Sequence, residues 1–126
     1  MREIKFRGYS KEIGKWIYGC LLKCWSKVEE DFVDDDPMMV SQNNYNYYEV
    51  DKVSVGQYTG FKDKNGREIY EGDIVKWWNE KCIVEFDAGK WLAKKMTSNR
   101  VIRLFNELSH IEVIGNTYEK KLKEEK

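Results

Sequence analysis

The chain has 126 residues, 41% hydrophobic, 14% aromatic and 35% charged, with acidic and basic side chains in balance and no formal net charge. That length fits one domain with a core that needs no staple, and the aromatic content excludes a disordered chain. Zero net charge offers no general attraction to nucleic acid, no run approaches the ~18 apolar residues of a membrane-spanning helix, and three cysteines make no disulfide framework.

Charge is nevertheless segregated along the chain. Residues 1–28 carry a balance of +5, residues 29–51 a balance of −8 with no base, and residues 62–103 a balance of +3. The opening Met1-Arg2-Glu3-Ile4-Lys5-Phe6-Arg7 lacks the apolar core of a signal peptide. We therefore expect a protein of the cytosol with reduced cysteines.

In the first strand, alternation puts Ile4 and Phe6 on one face and Glu3, Lys5 and Arg7 on the other. A turn at Ser10–Lys15 leads to a second strand over Trp16–Trp25, so residues 1–25 read as a hairpin. Residues 26–49 hold the only proline, the acidic stretch 29–36 and the polar run Ser41–Asn46. They read as a long loop, and a loop of that length in a compact domain implies hidden structure or a function.

From Val50 the pattern is β again, with Val53 and Val55 alternating. Asn65-Gly66 is a strong turn signal, because both residues tolerate positive φ. Arg67–Tyr70 follows as a short strand, Glu71-Gly72-Asp73 as a tight turn, and Ile74–Trp78 as the next strand. Asn79–Lys81 separates it from a strand in which Cys82, Val84 and Phe86 share a face. Asp87-Ala88-Gly89 turns into a strand over Lys90–Met96. Val101–Leu108 fits either a strand or a short helix, Ile111–Gly115 is the last strand, and Glu119–Lys126 is a charged tail that frays or forms a loose helix. Short strands at this spacing predict a single mainly β domain, a small barrel or sandwich, with a short helical segment near its C-terminus. The barrel unit, SH3-like by analogy, falls within 50–118.

Three stretches carry a family resemblance: Met1–Arg7, the long block Gln57–Val75 (QYTGFKDKNGREIYEGDIV), and Glu112–Glu119 (EVIGNTYE). Together they resemble the YopX family, small proteins of bacteriophages and prophages of Gram-positive bacteria. Phe61 stands where a leucine is common in that family. The resemblance implies a mainly β fold, a location inside an infected or lysogenic host, and a homo-oligomer. It implies no activity, and no catalytic residue carries over.

The residues themselves offer little chemistry. Cys20, Cys24, Cys82 and His110 make a Cys3His set on paper, but two cysteines four apart on a strand lie about 13 Å from one another, too far to share a zinc ion. Small buried thiols are the expectation. The acidic stretch 29–36 lacks the EF-hand spacing and reads as a solvated loop, with docking on a basic surface of another subunit or a host protein as the alternative. Asp73, after a turn glycine, is expected to cap that turn. No nucleophile elbow, phosphate loop or dinucleotide fingerprint is present, so no enzyme and no cofactor are expected.

The remaining candidate is a basic and aromatic surface of Trp77, Trp78, Lys90, Trp91, Lys94, Lys95, Arg100 and Arg103. Adjacent Trp77 and Trp78 on one strand would face opposite ways, one into the core and one out. Such a surface suits a protein partner or a second copy. Nucleic acid is the alternative, bound by stacking of bases on aromatics in a positive groove.

Overall fold

The computed structural model describes residues 4–23, 38–41 and 46–124. The chain divides into two compact units, Glu3–Gln57 and Tyr58–Lys126. Expectations that concern Cys24, Trp25 and the acidic stretch 29–36 lie outside the described residues.

In the first unit, β1 (Phe6–Ser10) and β2 (Lys15–Lys23) form an antiparallel hairpin in which Tyr9 faces Trp16. Gly14, at φ +69°, closes its turn by donating to the Ser10 carbonyl at 2.8 Å. Two further strands, β3 (Met38–Ser41) and β4 (Tyr47–Val50), extend the sheet antiparallel beyond β2. On the other side of β1, Gly56 and Gln57 of β5 (Gly56–Lys62) pair with Arg7 and Phe6. Ile17, Val40 and Val50 form the core, with Leu21, Tyr48 and Val55 against it.

Three expectations change here. The segment 26–49, read as a loop with hidden structure or a function, contains β3 and all of β4 but its last residue; the strands have four residues and bury one valine each, Val40 and Val50, a pattern too short to stand out from polar surroundings. In β1, Ile4 precedes the strand and is exposed, while Arg7 is buried with its guanidinium 4.8 Å from the centre of the Trp16 ring. An arginine can lay its stem and planar head against an aromatic, so alternation by residue type misassigns its face. Finally, Val53 is exposed on a 3₁₀ turn, Lys52–Ser54, and not on a strand. Asp51 caps that turn by accepting from the Val53 N–H, and the Ser54 hydroxyl accepts the Tyr9 N–H at 2.7 Å. These side-chain bonds offer the backbone an alternative to the ladder.

The second unit continues from β5 into β6 (Glu68–Tyr70). It then builds a five-stranded antiparallel sheet from β7 (Asp73–Trp77), β8 (Glu80–Asp87), β9 (Lys90–Lys95), β10 (Val101–Arg103) and β11 (Ile111–Asn116), in the order β10-β9-β8-β7-β11. The segment left open between strand and helix is both: β10, then a 3₁₀ stretch over Leu104–His110. The tail forms α1 (Thr117–Glu124), whose first turn is capped by Asn116 Oδ1 accepting from the Glu119 N–H at 2.8 Å. Ile69, Val75, Cys82, Val84, Trp91, Ala93, Leu104, Ile111 and Val113 form the core. The molecule is thus mainly β, with antiparallel sheets and one short C-terminal helix.

The block Gln57–Val75 is architectural. Buried Asp63 accepts the Asn65 and Arg67 N–H groups on Oδ1 and the Val113 N–H on Oδ2, each at 2.9 Å, and so ties the β5–β6 turn to β11. Gly66 in that turn has φ +82°, which only glycine adopts freely. Asp73 is buried and accepts the Tyr70 N–H on Oδ2 at 2.7 Å, the capping expected of it.

Candidate binding surface of the second unit

The β8–β9 hairpin turns through Ala88 and Gly89, both at positive φ (+50° and +77°). Two such residues match the right-handed twist of the flanking strands, which a common turn would splay. The resulting register sets Phe86 opposite Trp91, with ring centroids 4.8 Å apart. Trp91 enters the core and Phe86 lies over it, half in solvent.

The 3₁₀ stretch brings in a second pair of rings. Leu104 is fully buried and anchors the stretch, so its neighbour Phe105 points outward, where it rests 5.6 Å from Phe61 of β5. Phe61, Trp91 and Phe105, with Gly89, Lys90, Arg103 and Asn106, line a cleft of about 380 Å³. The lining therefore combines three rings, two cations and one amide, and carries no carboxylate. The Trp91 indole N–H is buried without an acceptor among the described residues.

Of the eight residues expected on one surface, the structure brings Lys90, Trp91 and Arg103 together at this cleft. The other five lie elsewhere. Trp77 is half-buried against the core, donates from Nε1 to Glu107 at 3.1 Å, and has the Lys95 ammonium 5.2 Å from its ring centre. Lys95 is itself paired with Glu80 at 2.5 Å and largely buried, so its charge is matched inside the unit. Lys94, by strand alternation, faces away from Trp91 and sits between Ile83 and Val101. Arg100 is exposed in the segment before β10.

Trp78 corrects the reading of two tryptophans on one strand. The strand ends at Trp77, and Trp78 occupies the turn at φ +55°, exposed and stacked on His110 at 4.5 Å. One indole packs inward and the other outward because a turn, not alternation, separates them. Phe61, Phe105 and Asn106 are the cleft residues that sequence reasoning missed. Phe61 was visible only as a departure from the family's leucine, and Phe105 lay in the segment of undecided structure.

The remaining groups of chemical interest are placed separately. Cys82 is fully buried in β8; burial, and then the nearby Glu80 carboxylate, raise its thiol above the ordinary value, against a smaller opposing effect of Lys95. A raised thiol is held protonated and is a poor nucleophile or ligand. Cys20 is exposed on β2 of the other unit. Among the described residues no group of three or more His, Cys, Asp or Glu side chains is placed to hold a metal ion, and no helix is long and apolar enough to cross a membrane.

Fold and surface together define a small, mainly β protein whose prominent surface feature is an aromatic cleft flanked by cations. The chain belongs to the YopX family: the family model described as YopX protein matches residues 5–122, nearly its whole length. It is similar in fold to the crystal structure of protein EF1440 from Enterococcus faecalis, with a TM-score of 0.53 at 20% identity over 96% of this chain and 97% of that one. No curated protein matches the sequence.

Proposed function

We propose that this protein is a non-enzymatic phage or prophage accessory protein that acts in the cytoplasm of its bacterial host by self-association and contact with other proteins. The observation that carries this reading is the aromatic cleft. Phe105 is 69% exposed and Phe86 51% exposed, yet each is held against a second ring, so ordering it on binding costs little conformational entropy. Aromatics with an arginine beside them are the side chains that most often dominate protein interface energetics. The lining of rings, cations and an amide suits contact better than acid–base chemistry. The phage setting and the host cytoplasm rest on family membership.

Size-exclusion chromatography with light scattering tests this. The wild-type mass should rise with concentration towards a dimer or larger species, and Phe105→Ser should remain monomeric at the same concentrations. A wild-type chain that stays strictly monomeric at high concentration overturns self-association.

One observation favours a second reading, single-stranded nucleic acid. Lys90 and Arg103 flank exposed rings in a lining without a carboxylate, the combination that binds phosphates while bases stack. Against it, Asp87 faces Lys90 across the hairpin and Glu85 faces Leu92 beside Arg103, so acids interrupt the cationic stripe. Oligonucleotide binding at low and high salt decides this, because phosphate contacts are strongest at low salt. No binding at low salt removes the reading.

A further inference from the structure

The opposite face of the five-stranded sheet carries a second feature that the aromatic cleft does not use. Val75, Cys82, Val84, Ala93 and Val113 point into the core, so their neighbours in sequence point to the other face. There the register aligns Ile74 with Ile83, Ile83 with Lys94, and Lys94 with Val101 across four strands. The β11 register shifts between Val113 and Gly115, and Ile114 at that irregularity is exposed on the same side of the unit as α1.

Two depressions on this face meet at Met96. One, about 350 Å³, has Ile74, Met96 and Ile114 as apolar lining, and Lys81, Lys120 and Lys123 as its cations. The other, about 490 Å³, continues from Met96 over Ile83 to Lys94. Lys120 and Lys123 are three apart on α1 and so share one helix face. Glu119 and Glu85 are the acids of the two linings, and they are outnumbered by Lys81, Lys94, Lys120 and Lys123. The result is an apolar patch of Ile74, Ile83, Met96 and Ile114 flanked by lysines, with Thr97, Ser98 and Asn99 closing the second depression.

A ligand for such a groove has apolar residues set between carboxylates. The most acidic case in this chain is Glu29-Glu30-Asp31-Phe32-Val33-Asp34-Asp35-Asp36, an apolar pair between two acidic triplets, in a stretch that has no base from 29 to 51. We propose that the groove formed by Ile74, Ile83, Met96 and Ile114, with Lys81, Lys94, Lys120 and Lys123, receives the acidic segment 29–36 of a second copy. Phe32 and Val33 meet the apolar patch and the carboxylates meet the lysines. This rests on the self-association reading and supplies it with a second, charge-dependent contact on a different face. Because lysine–carboxylate contacts at an exposed rim are screened by salt, the docking is salt-sensitive and sets orientation more than total affinity.

The test uses a fluorescent synthetic peptide of residues 27–38, titrated by anisotropy against the full chain carrying D34N/D35N/D36N, which weakens competition from its own segment. Saturable binding is expected at low salt, at least tenfold weaker at high salt and at least tenfold weaker when K120E/K123E is added. Both lysines are exposed, and a thermal melt verifies that the variant folds; K120A is the milder second variant. Absence of peptide binding at low salt overturns the proposal, as does binding indifferent to K120E/K123E. Binding of a single-stranded oligonucleotide in place of the peptide, lost in the same variant, also overturns it. Light scattering separates this from the reading beneath it. If K120E/K123E still self-associates as the wild type does and Phe105→Ser does not, the groove proposal falls while the aromatic cleft stands.

Discussion

The two units of this chain hold their strands by different means. In the second unit a contiguous core of aliphatic side chains, one cysteine and one tryptophan fills the inner face of a five-stranded sheet. Among the described residues of the first unit the buried cluster is Ile17, Val40 and Val50, with Leu21, Tyr48 and Val55 against it. There the Asp51–Ser54 turn is hydrogen-bonded to the distant Tyr9, and a glycine lets β1 pass close to a valine. Close approach of β1 to Val50 leaves the first unit little room on its backbone, whereas the second relies on a filled core. The first unit should therefore be sensitive to backbone crowding and the second to cavities.

The largest effect expected is from Leu104→Ala, which opens a cavity in the second core and should cost about 2–5 kcal/mol in denaturant unfolding. Val40→Ala in the first unit should cost less, and an equal cost would break the contrast. Next comes Asp63→Ala, which strands the buried Val113 N–H as well as two turn donors. An unsatisfied buried donor costs about 1–3 kcal/mol, and hydrogen exchange should accelerate at Val113 in particular. Gly8→Ala places a methyl 2.6 Å from a Val50 side-chain carbon, overpacking worth about 1–3 kcal/mol. Its exchange signature should fall in the first unit and leave β7–β9 protected; uniform loss of protection would break the comparison.

Smaller is the pH effect of Cys82. Burial raises its thiol above the ordinary thiol range, so in and above that range the folded state holds a proton that the unfolded state releases. Stability then falls as pH rises through and beyond the ordinary thiol range. Unfolding at a series of alkaline pH values should show a steeper loss in the wild type than in Cys82→Ala. The smallest stability effect belongs to Phe105→Ser, within about 0.5 kcal/mol because the ring lies largely outside the core. That variant sharpens the contrast between core and surface, since self-association should be lost while the melt is unchanged.

Much of the second unit was legible in the sequence. Asn65-Gly66, Gly72-Asp73 and Ala88-Gly89 mark turns that the structure contains, with positive φ at Gly66, Gly72, Ala88 and Gly89, and Cys82 and Val84 share the core face as alternation requires. The first unit was harder to read. Arg7 is buried against Trp16, and β3 and β4 contribute one buried valine each. In both cases the partner, not the residue's own character, decides its face. The aromatic cleft was legible only in part, as Lys90, Trp91 and Arg103.

By itself the sequence determined a mainly β chain, its punctuation by glycine and asparagine turns, the capping role of Asp73 and membership of the YopX family, because these depend on local backbone preference and on patterns within a few residues. Tertiary structure alone decided that Phe61, Trp91 and Phe105, drawn from β5, β9 and the 3₁₀ stretch, line one cleft, that Lys95 is matched by Glu80, and that Trp78 leaves its strand to stack on His110. These are contacts between distant segments, set by register and by which side of each strand is already filled, and no window of sequence contains them.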